Sequence, residues 1–427
     1  MKKTIHEPAK EIPVAGEYDV LVIGAGPAGV AAAITAGREG AKTCLVEPCG
    51  GVGGVATSGM MSHWTGNTQG GIYEEILDRS ADRPDMRASI NTERLHCVLL
   101  EMLQEAGVEI RLYTLATDAI VEKNRLNGVI IESKSGREAL LAKVTIDASG
   151  DGDIAARAGA EYQLGREGDA VMQPMTLMFR VGGVDYSRAI FPPSFETFID
   201  VPAGEIQNLA RQKLPAPAGH VLLYKTTLPG VVTCNMTNVT QVDGTKAEDL
   251  TKAQLVCRKQ IPIIVDFLRK YAPGYENCYL LTAAATIGVR ETRHFKGLYT
   301  LTAEDILEAR VFPDWVVAKA HFNFDIHNTV GAGLDANGSQ AKFTQRKHYT
   351  IPYRCLVPEK VDGLLLAGRI ISGTHKAHSN FRVMPICALM GQAAGIAAAL
   401  CASRNIEPRA LPATDIQTKL IEQKAGL

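Results

Sequence analysis

The residues Tyr18-Asp-Val-Leu-Val-Ile23 form a nearly continuous apolar run. That pattern predicts a strand buried on both faces. A Gly-rich turn follows, and then small residues to about Glu39 that predict a helix. Lys42–Glu47 reads as a second short strand. Residues 49–71 are Gly-rich, hold Met60, Met61, His63 and Trp64, and read as a long loop. Leu95, Val98, Leu99, Met102 and Leu103 recur at helical spacing behind Asn91 or Thr92 as the cap, with Gly107 closing the helix. Val108–Ile146 reads as short strands with turns at Lys123–Asn124 and Lys134–Gly136, and Val144–Ala148 as another buried strand.

The character changes after about Tyr162. Residues 166–345 carry half of the prolines and mix strands (Thr176–Val181, His220–Thr226, Val231–Thr237) with a helix near Leu250–Tyr271, kinked at Pro262. The α/β pattern returns at Val361–Gly368, ahead of a long Ala-rich helix. An α/β domain in two parts, 1–165 and 346–427, with an α+β insert at 166–345, is the expected organisation. At 427 residues, two domains are the natural prior.

Composition narrows the function classes. Hydrophobic residues make up 46% and the net charge is -1, without a basic block, so neither nucleic acid nor an anionic membrane is indicated as a partner. Nine scattered cysteines without a C-x-x-C signal neither a redox dithiol nor a zinc ribbon and suit reduced thiols in a cytoplasm. The N-terminus lacks a signal-type apolar stretch, so the sequons at Asn235, Asn238 and Asn337 carry no meaning. The uncharged runs Leu21–Gly37 and Val383–Ala402 are Ala/Gly-rich and read as the strand–turn–helix start of the chain and a late core helix rather than membrane spans.

Gly24-Ala25-Gly26-Pro27-Ala28-Gly29 fits G-x-G-x-x-G. Alone the match is weak; here it follows a strand, opens a helix and precedes Glu47 at the end of the next strand. Gly24 permits the tight turn and Gly26 lets the backbone approach a pyrophosphate. Gly29, with Ala33, lets helix and sheet pack closely. The helix N-terminus would bind the diphosphate. Glu47 would accept from a ribose diol and disfavour a 2′-phosphate. The fingerprint does not decide between FAD and NAD.

Over most of its length the chain resembles the FAD-dependent oxidoreductases, glutathione-reductase-like flavoproteins with one N-terminal fingerprint. Tyr18–Gly29 carries the resemblance, with Glu47-Pro48 and Gly50-Gly-Val-Gly53-Gly54. So do Asp147-Ala148-Ser-Gly150-Asp151, Ile287-Gly-Val-Arg290-Glu-Thr-Arg293, Leu365-Leu-Ala-Gly368-Arg369 and Gly391-Gln-Ala-Ala-Gly395. It implies FAD as cofactor, a Rossmann-like FAD-binding domain and an inserted substrate domain. It puts Ala116 near the adenine and Gly150–Asp151 at the close of the nucleotide site. Many relatives end the late strand with Gly-Asp; this chain has Gly368-Arg369, which points Arg369 at the diphosphate. The stretch with His375, His378, Arg382 and Met384 is expected to wrap the flavin, with the late helix dipole at its pyrimidine edge. No second G-x-G-x-x-G exists, since Gly331–Gly338 has the wrong spacing, so no dedicated NAD(P)H domain is expected.

A flavin enzyme needs a base and a substrate anchor from the protein. His63, in the loop after Gly54, reads as a base, a flavin contact or a covalent flavin ligand. Arg290 and Arg293 suit a grip on a substrate carboxylate. His321 and Asp325 are spaced for one helix face, with His327 pointing elsewhere; a His–Asp acid/base pair is favoured there over a metal, and no metal site is assigned. Each set also has a plain structural reading as loop, salt-bridge or hydrogen-bond residues. The expected function is hydride transfer between FAD and a small organic substrate, a carboxylate or hydroxy compound. Three readings compete with it: a flavin monooxygenase, a protein with structural FAD, and an electron-transfer subunit. The electron acceptor and self-association as a homo-oligomer are left open.

Overall fold

The computed structural model describes residues 3–336, 345 and 347–426. Asn337, Gly338 and residue 346 lie outside them. A seven-stranded sheet carries the first layer, and its central strand, Val14–Ile23, pairs in parallel with Thr43–Val46 and Gly136–Asp147. Glu109–Arg111 extends one edge in parallel. On the other side Arg125–Ser133 and Leu115–Glu122 form an antiparallel meander off the long Gly136–Asp147 strand. Lys123 and Asn124 make its first turn in the left-handed region, and Gly136 its second. Leu364–Leu366 arrives from far along the chain to pair in parallel with the end of Gly136–Asp147.

Helix Pro27–Arg38 begins where the fingerprint predicts, with Pro27 in its first turn. It packs along the late helix Met384–Arg404, and almost every residue of both is buried. Small residues make this possible: a Cβ on Gly391 would lie 2.0 Å from the Ala28 carbonyl oxygen, and one on Gly395 2.4 Å from that of Ala32. The late helix is long and apolar enough to cross a membrane, but 89% of its apolar window is buried in the protein. Asn91 caps helix Thr92–Glu105, its side chain accepting from Arg94 N–H. The 49–71 segment is a loop except for one 3₁₀ turn at Gly54–Ala56. The Gly-rich pattern hid the helix Gly71–Ser80 that follows.

A second hydrophobic cluster runs from Met175 to Ala284. It packs the sheet Leu223–Lys225, Val232–Cys234, Phe179–Gly182, Tyr279–Ala283 against helix Ala247–Tyr271, which carries Pro262 inside it. From Phe295 to Phe324 the chain already belongs to the first cluster, well before residue 345. Apolar burial therefore marks a smaller insert than the proline distribution suggested.

Candidate active site

A cavity of about 360 Å³ opens at the ends of the parallel strands, where the two layers meet. Gly24, Gly26, Pro27, Ala28, Glu47, Gly54, Ala148, Gly150 and Asp151 line one end. Gly368, Arg369, Arg382 and Met384 come in from the late strand and helix. Arg290, Asp325 and His327 line the part facing the insert.

The nucleotide end follows from backbone geometry. Gly24 has φ +93°, and a Cβ there would strike Ala148. A Cβ on Gly29 would lie 1.8 Å from the Gly24 carbonyl oxygen, so only glycine lets the helix start so close to the turn. Gly26 is different: nothing lies within 4 Å of a Cβ there, and no side chain caps the helix. The first helical N–H groups are thus left to a ligand. Glu47 accepts from Ala25 N–H at 2.7 Å and Cys49 N–H at 2.9 Å, and a carboxylate retains lone pairs for a diol. Arg369 donates to Asp151 at 3.0 Å, while its Nη1 is buried without a partner among the described residues. Arg382 Nε is likewise buried and unpaired. Two cations with unmet donors beside a bare helix N-terminus fit an anionic, diphosphate-bearing dinucleotide.

Other residues expected at the cofactor play supporting parts. Ala25 and Gly53 bond each other through their backbones, Gly53 N–H to the Ala25 carbonyl. Gly29 and Gly391 serve close packing, not the cavity wall. Ala116 is buried in the meander edge and Pro48 is exposed; neither lines the cavity. His378 is a correction. It is fully buried against His294 and Phe381, off the cavity, because helix His375–Phe381 turns its histidines inward.

At the insert end, residues 321–328 are not helical, so His321 and Asp325 do not share a helix face as their spacing suggested. His321 instead lies tilted against His348, ring centroids 5.1 Å apart. Asp325 pairs with His327, Nε2 to Oδ2 3.3 Å, and Arg382 Nη2 donates to the same oxygen at 2.9 Å. His327, Arg290 and Arg382 hold the Asp325 carboxyl well below the usual range against the opposing effect of burial. The acceptor-only carboxylate assigns the proton to His327 Nε2, leaving Nδ1 with the lone pair. Burial, helped by the Arg290 charge, lowers the His327 pKa to about 4, so the ring is neutral. Arg290 Nη1 donates to the Pro174 carbonyl at 2.6 Å and to Thr176 at 2.8 Å. Among the described residues, Arg290's other nitrogens make no hydrogen bond to protein. Burial and Arg382 bring its pKa down to about 10, still charged at neutral pH.

The expected Arg290–Arg293 pair is split. Arg293 donates to the Asp151 carbonyl and to Asp153 and lies over Tyr162, away from the cavity. In an extended segment, residues three apart face opposite sides. His63 also misses the cavity wall: it bonds Ser62 Oγ through Nδ1 at 2.7 Å and packs on Tyr224, and burial lowers its pKa. Spacing alone did not reveal Tyr224 or His220, which lie deep beside this end; His220 Nε2–H donates to the Asn235 carbonyl at 3.0 Å.

Buried neutral histidines make the fold acid-sensitive. Burial lowers His220 to about 3 and His327 to about 4, against 6.5 when exposed in the unfolded chain. The unfolded chain therefore binds more protons once pH falls below 6.5. The stability these two groups contribute is complete above that value and is lost progressively as pH falls to about 4 for His327 and about 3 for His220. At pH 5 the loss is on the order of 3–4 kcal/mol. Thermal melts from pH 7 to 4 should show Tm falling through this window; a flat Tm would contradict two neutral buried imidazoles.

A dinucleotide fingerprint, a strand-end cavity and a late helix closing it define a nucleotide-binding oxidoreductase of the doubly wound class. The sequence profile of the FAD-dependent oxidoreductases matches residues 19–420, so the chain belongs to that family, with FAD as its cofactor. It is 28% identical over 155 residues to digeranylgeranylglycerophospholipid reductase 2 of Methanococcoides burtonii, a match covering 31% of this chain and 38% of that reductase. A geranylgeranyl bacteriochlorophyll reductase-like protein of Thermoplasma acidophilum superposes over 96% of this chain and 84% of its own, at 13% identity and TM-score 0.49. The flavin-dependent brominase Bmp2 superposes over 95% of this chain and 83% of its own, at 13% identity and TM-score 0.47.

Proposed function

We propose that this flavoenzyme oxidises or reduces a small hydroxy or carboxylate compound, with His327 as the proton-transfer group and Arg290 as the anchor. One observation carries the reading. A neutral imidazole oriented by an ionised carboxylate and a part-engaged arginine line the same cavity as the nucleotide fingerprint. FAD, when bound, supplies the hydride acceptor or donor. The protein does the rest: Arg290 would hold a substrate carboxylate, and His327 Nδ1 would take the hydroxyl proton as the C–H bond breaks. Asp325 fixes the ring and stabilises the imidazolium, and Arg382 keeps Asp325 ionised. The nine cysteines are all free, which supports the expectation of a reducing compartment.

Anaerobic addition of short-chain hydroxy acids to the yellow holo-protein tests this: one class should bleach the flavin. Arg290→Gln should lower kcat/KM for that class about 10- to 100-fold, as for a lost charge-assisted bond, while Arg293→Gln stays close to wild type. A holo-protein that no hydroxy acid bleaches, or Arg293 and Arg290 variants that behave alike, would remove the reading. Rapid NAD(P)H consumption in air would point instead to a monooxygenase.

A further inference from the structure

Among the described residues, the acidic and arginine side chains lining the cavity are Glu47, Asp151, Asp325, Arg290, Arg369 and Arg382. Arg369 is paired with Asp151 at 3.0 Å, and Arg382 with Asp325 at 2.9 Å. Glu47 stands at the nucleotide end, where it accepts from two backbone N–H groups. Arg290 differs from the other two arginines. Among the described residues it has no carboxylate at ion-pair distance, and its bonded nitrogen goes to the Pro174 carbonyl and the Thr176 hydroxyl. At the insert end two arginines thus stand against the single carboxylate of Asp325, and His327 is neutral. A single positive charge is left over, and it belongs to Arg290.

The wall around that charge is largely apolar. Met175, Leu177, Phe179 and Val181 point into the insert's own core, so the alternate residues Thr176 and Met178 face the cavity. Thr176 Oγ1 accepts from Arg290 at 2.8 Å, which sets Met178 next along the same face. Ile287 and Val289 flank the arginine in the chain and line the cavity too, as does Phe322. The polar groups nearby, Thr176 and Asn235, carry no charge. A first carboxylate meets its partner at Arg290. A second one would lie against these side chains without a countercharge, and an unpaired charge taken out of water is costly.

We infer that the substrate is a monocarboxylate with a short apolar tail, gripped by Arg290 at its charged end and measured along its tail by Met178. This specificity rests on Arg290 being the substrate anchor proposed above. Each methylene that the tail adds inside the pocket should raise kcat/KM about fourfold, until the pocket is full. A dicarboxylate should be at least about 100-fold poorer than the monocarboxylate of similar length, because its second charge is buried alone. Arg382 does not rescue it, since its charge is already committed to Asp325. Met178 determines specificity and takes no part in proton transfer: it meets the tail and not the reacting carbon.

Two measurements on the holo-protein test this. In the first, lactate, α-hydroxybutyrate, α-hydroxyvalerate and malate are compared as anaerobic donors. Bleaching should improve along the first three, and malate should fall at least about 100-fold below them. In the second, butyrate and succinate are titrated without turnover and binding is read from the flavin absorbance; butyrate should bind and succinate should not. Met178→Ala opens the wall and should move the best donor to a longer acid. Malate bleaching as fast as lactate, or succinate binding as tightly as butyrate, overturns the monocarboxylate and leaves Arg290 as an anchor. Failure of every hydroxy acid to bleach the flavin removes the reaction proposed above, and the butyrate and succinate titrations still decide the charge. An unchanged best donor in folded Met178→Ala removes the part given to Met178. Should that variant not fold, the wild-type donor series and the titrations decide the substrate class without it.

Discussion

His327→Gln is expected to slow anaerobic flavin reduction by about 10²- to 10⁴-fold, the range for a lost general base, with FAD still bound. Glutamine keeps roughly the size of the imidazole and can still donate to Asp325, but it cannot take a proton. His327 is held at three points: Nε2 by Asp325, its backbone N–H by the Gln173 side chain at 3.2 Å, and the ring edge-on to Phe195. A substitution that spares this frame removes chemistry and little else. Stopped-flow bleaching at several substrate concentrations would separate the effects. A fall in kcat at unchanged KM is expected, because the residue acts on the proton and not on the carboxylate. An unchanged bleaching rate would move the base elsewhere, with His63 the next histidine to examine.

Gly391→Ala is expected to be strongly destabilising for a single added methyl group. The added Cβ would sit 2.0 Å from the Ala28 backbone oxygen, at the start of the fingerprint helix. Both elements are buried helices, so neither can give way without moving the sheet beneath it. Overpacking of this kind costs about 3 kcal/mol or more, and here it also displaces the helix N-terminus that faces the nucleotide. Loss of flavin on gel filtration and a lowered Tm would report it together. Gly331→Ala is the control: its nearest neighbour would be the Asn328 side chain at 3.4 Å, and it should be near neutral. Equal melting points for the two variants would mean that the helix pair is looser than its geometry states.

Local signals with short-range causes were legible in the sequence. The fingerprint helix, the Asn91 cap and the turns at Lys123–Asn124 and Gly136 depend on residues within a few positions. The pairing of Leu364–Leu366 with the first domain was legible through the family resemblance, since that pattern recurs as a unit. The insert end of the cavity was not. Whether Asp325 meets His321 or His327 depends on the local backbone being extended, and on Arg382 arriving from a helix end 57 positions away. Arg290 and Arg293 read as a pair only if their segment coils; extended, it sends one to the cavity and the other to Asp153. His378 was placed near the flavin by its neighbourhood in the chain. Which way a seven-residue helix turns is set by what it packs on, here Glu291 and His294.

The contact between helix Pro27–Arg38 and helix Met384–Arg404 also sets an order of events on the ribosome. The first helix emerges early with an Ala/Gly face that only the late helix covers. At roughly 5–20 residues per second, tens of seconds pass before its cover is made. The nascent chain must carry an unfinished nucleotide fold through that interval, while the insert, with its own core, can condense in the meantime. A chain stalled before residue 384 lacks the helix that packs on the fingerprint helix, so flavin retention is expected only once residues 384–404 have emerged.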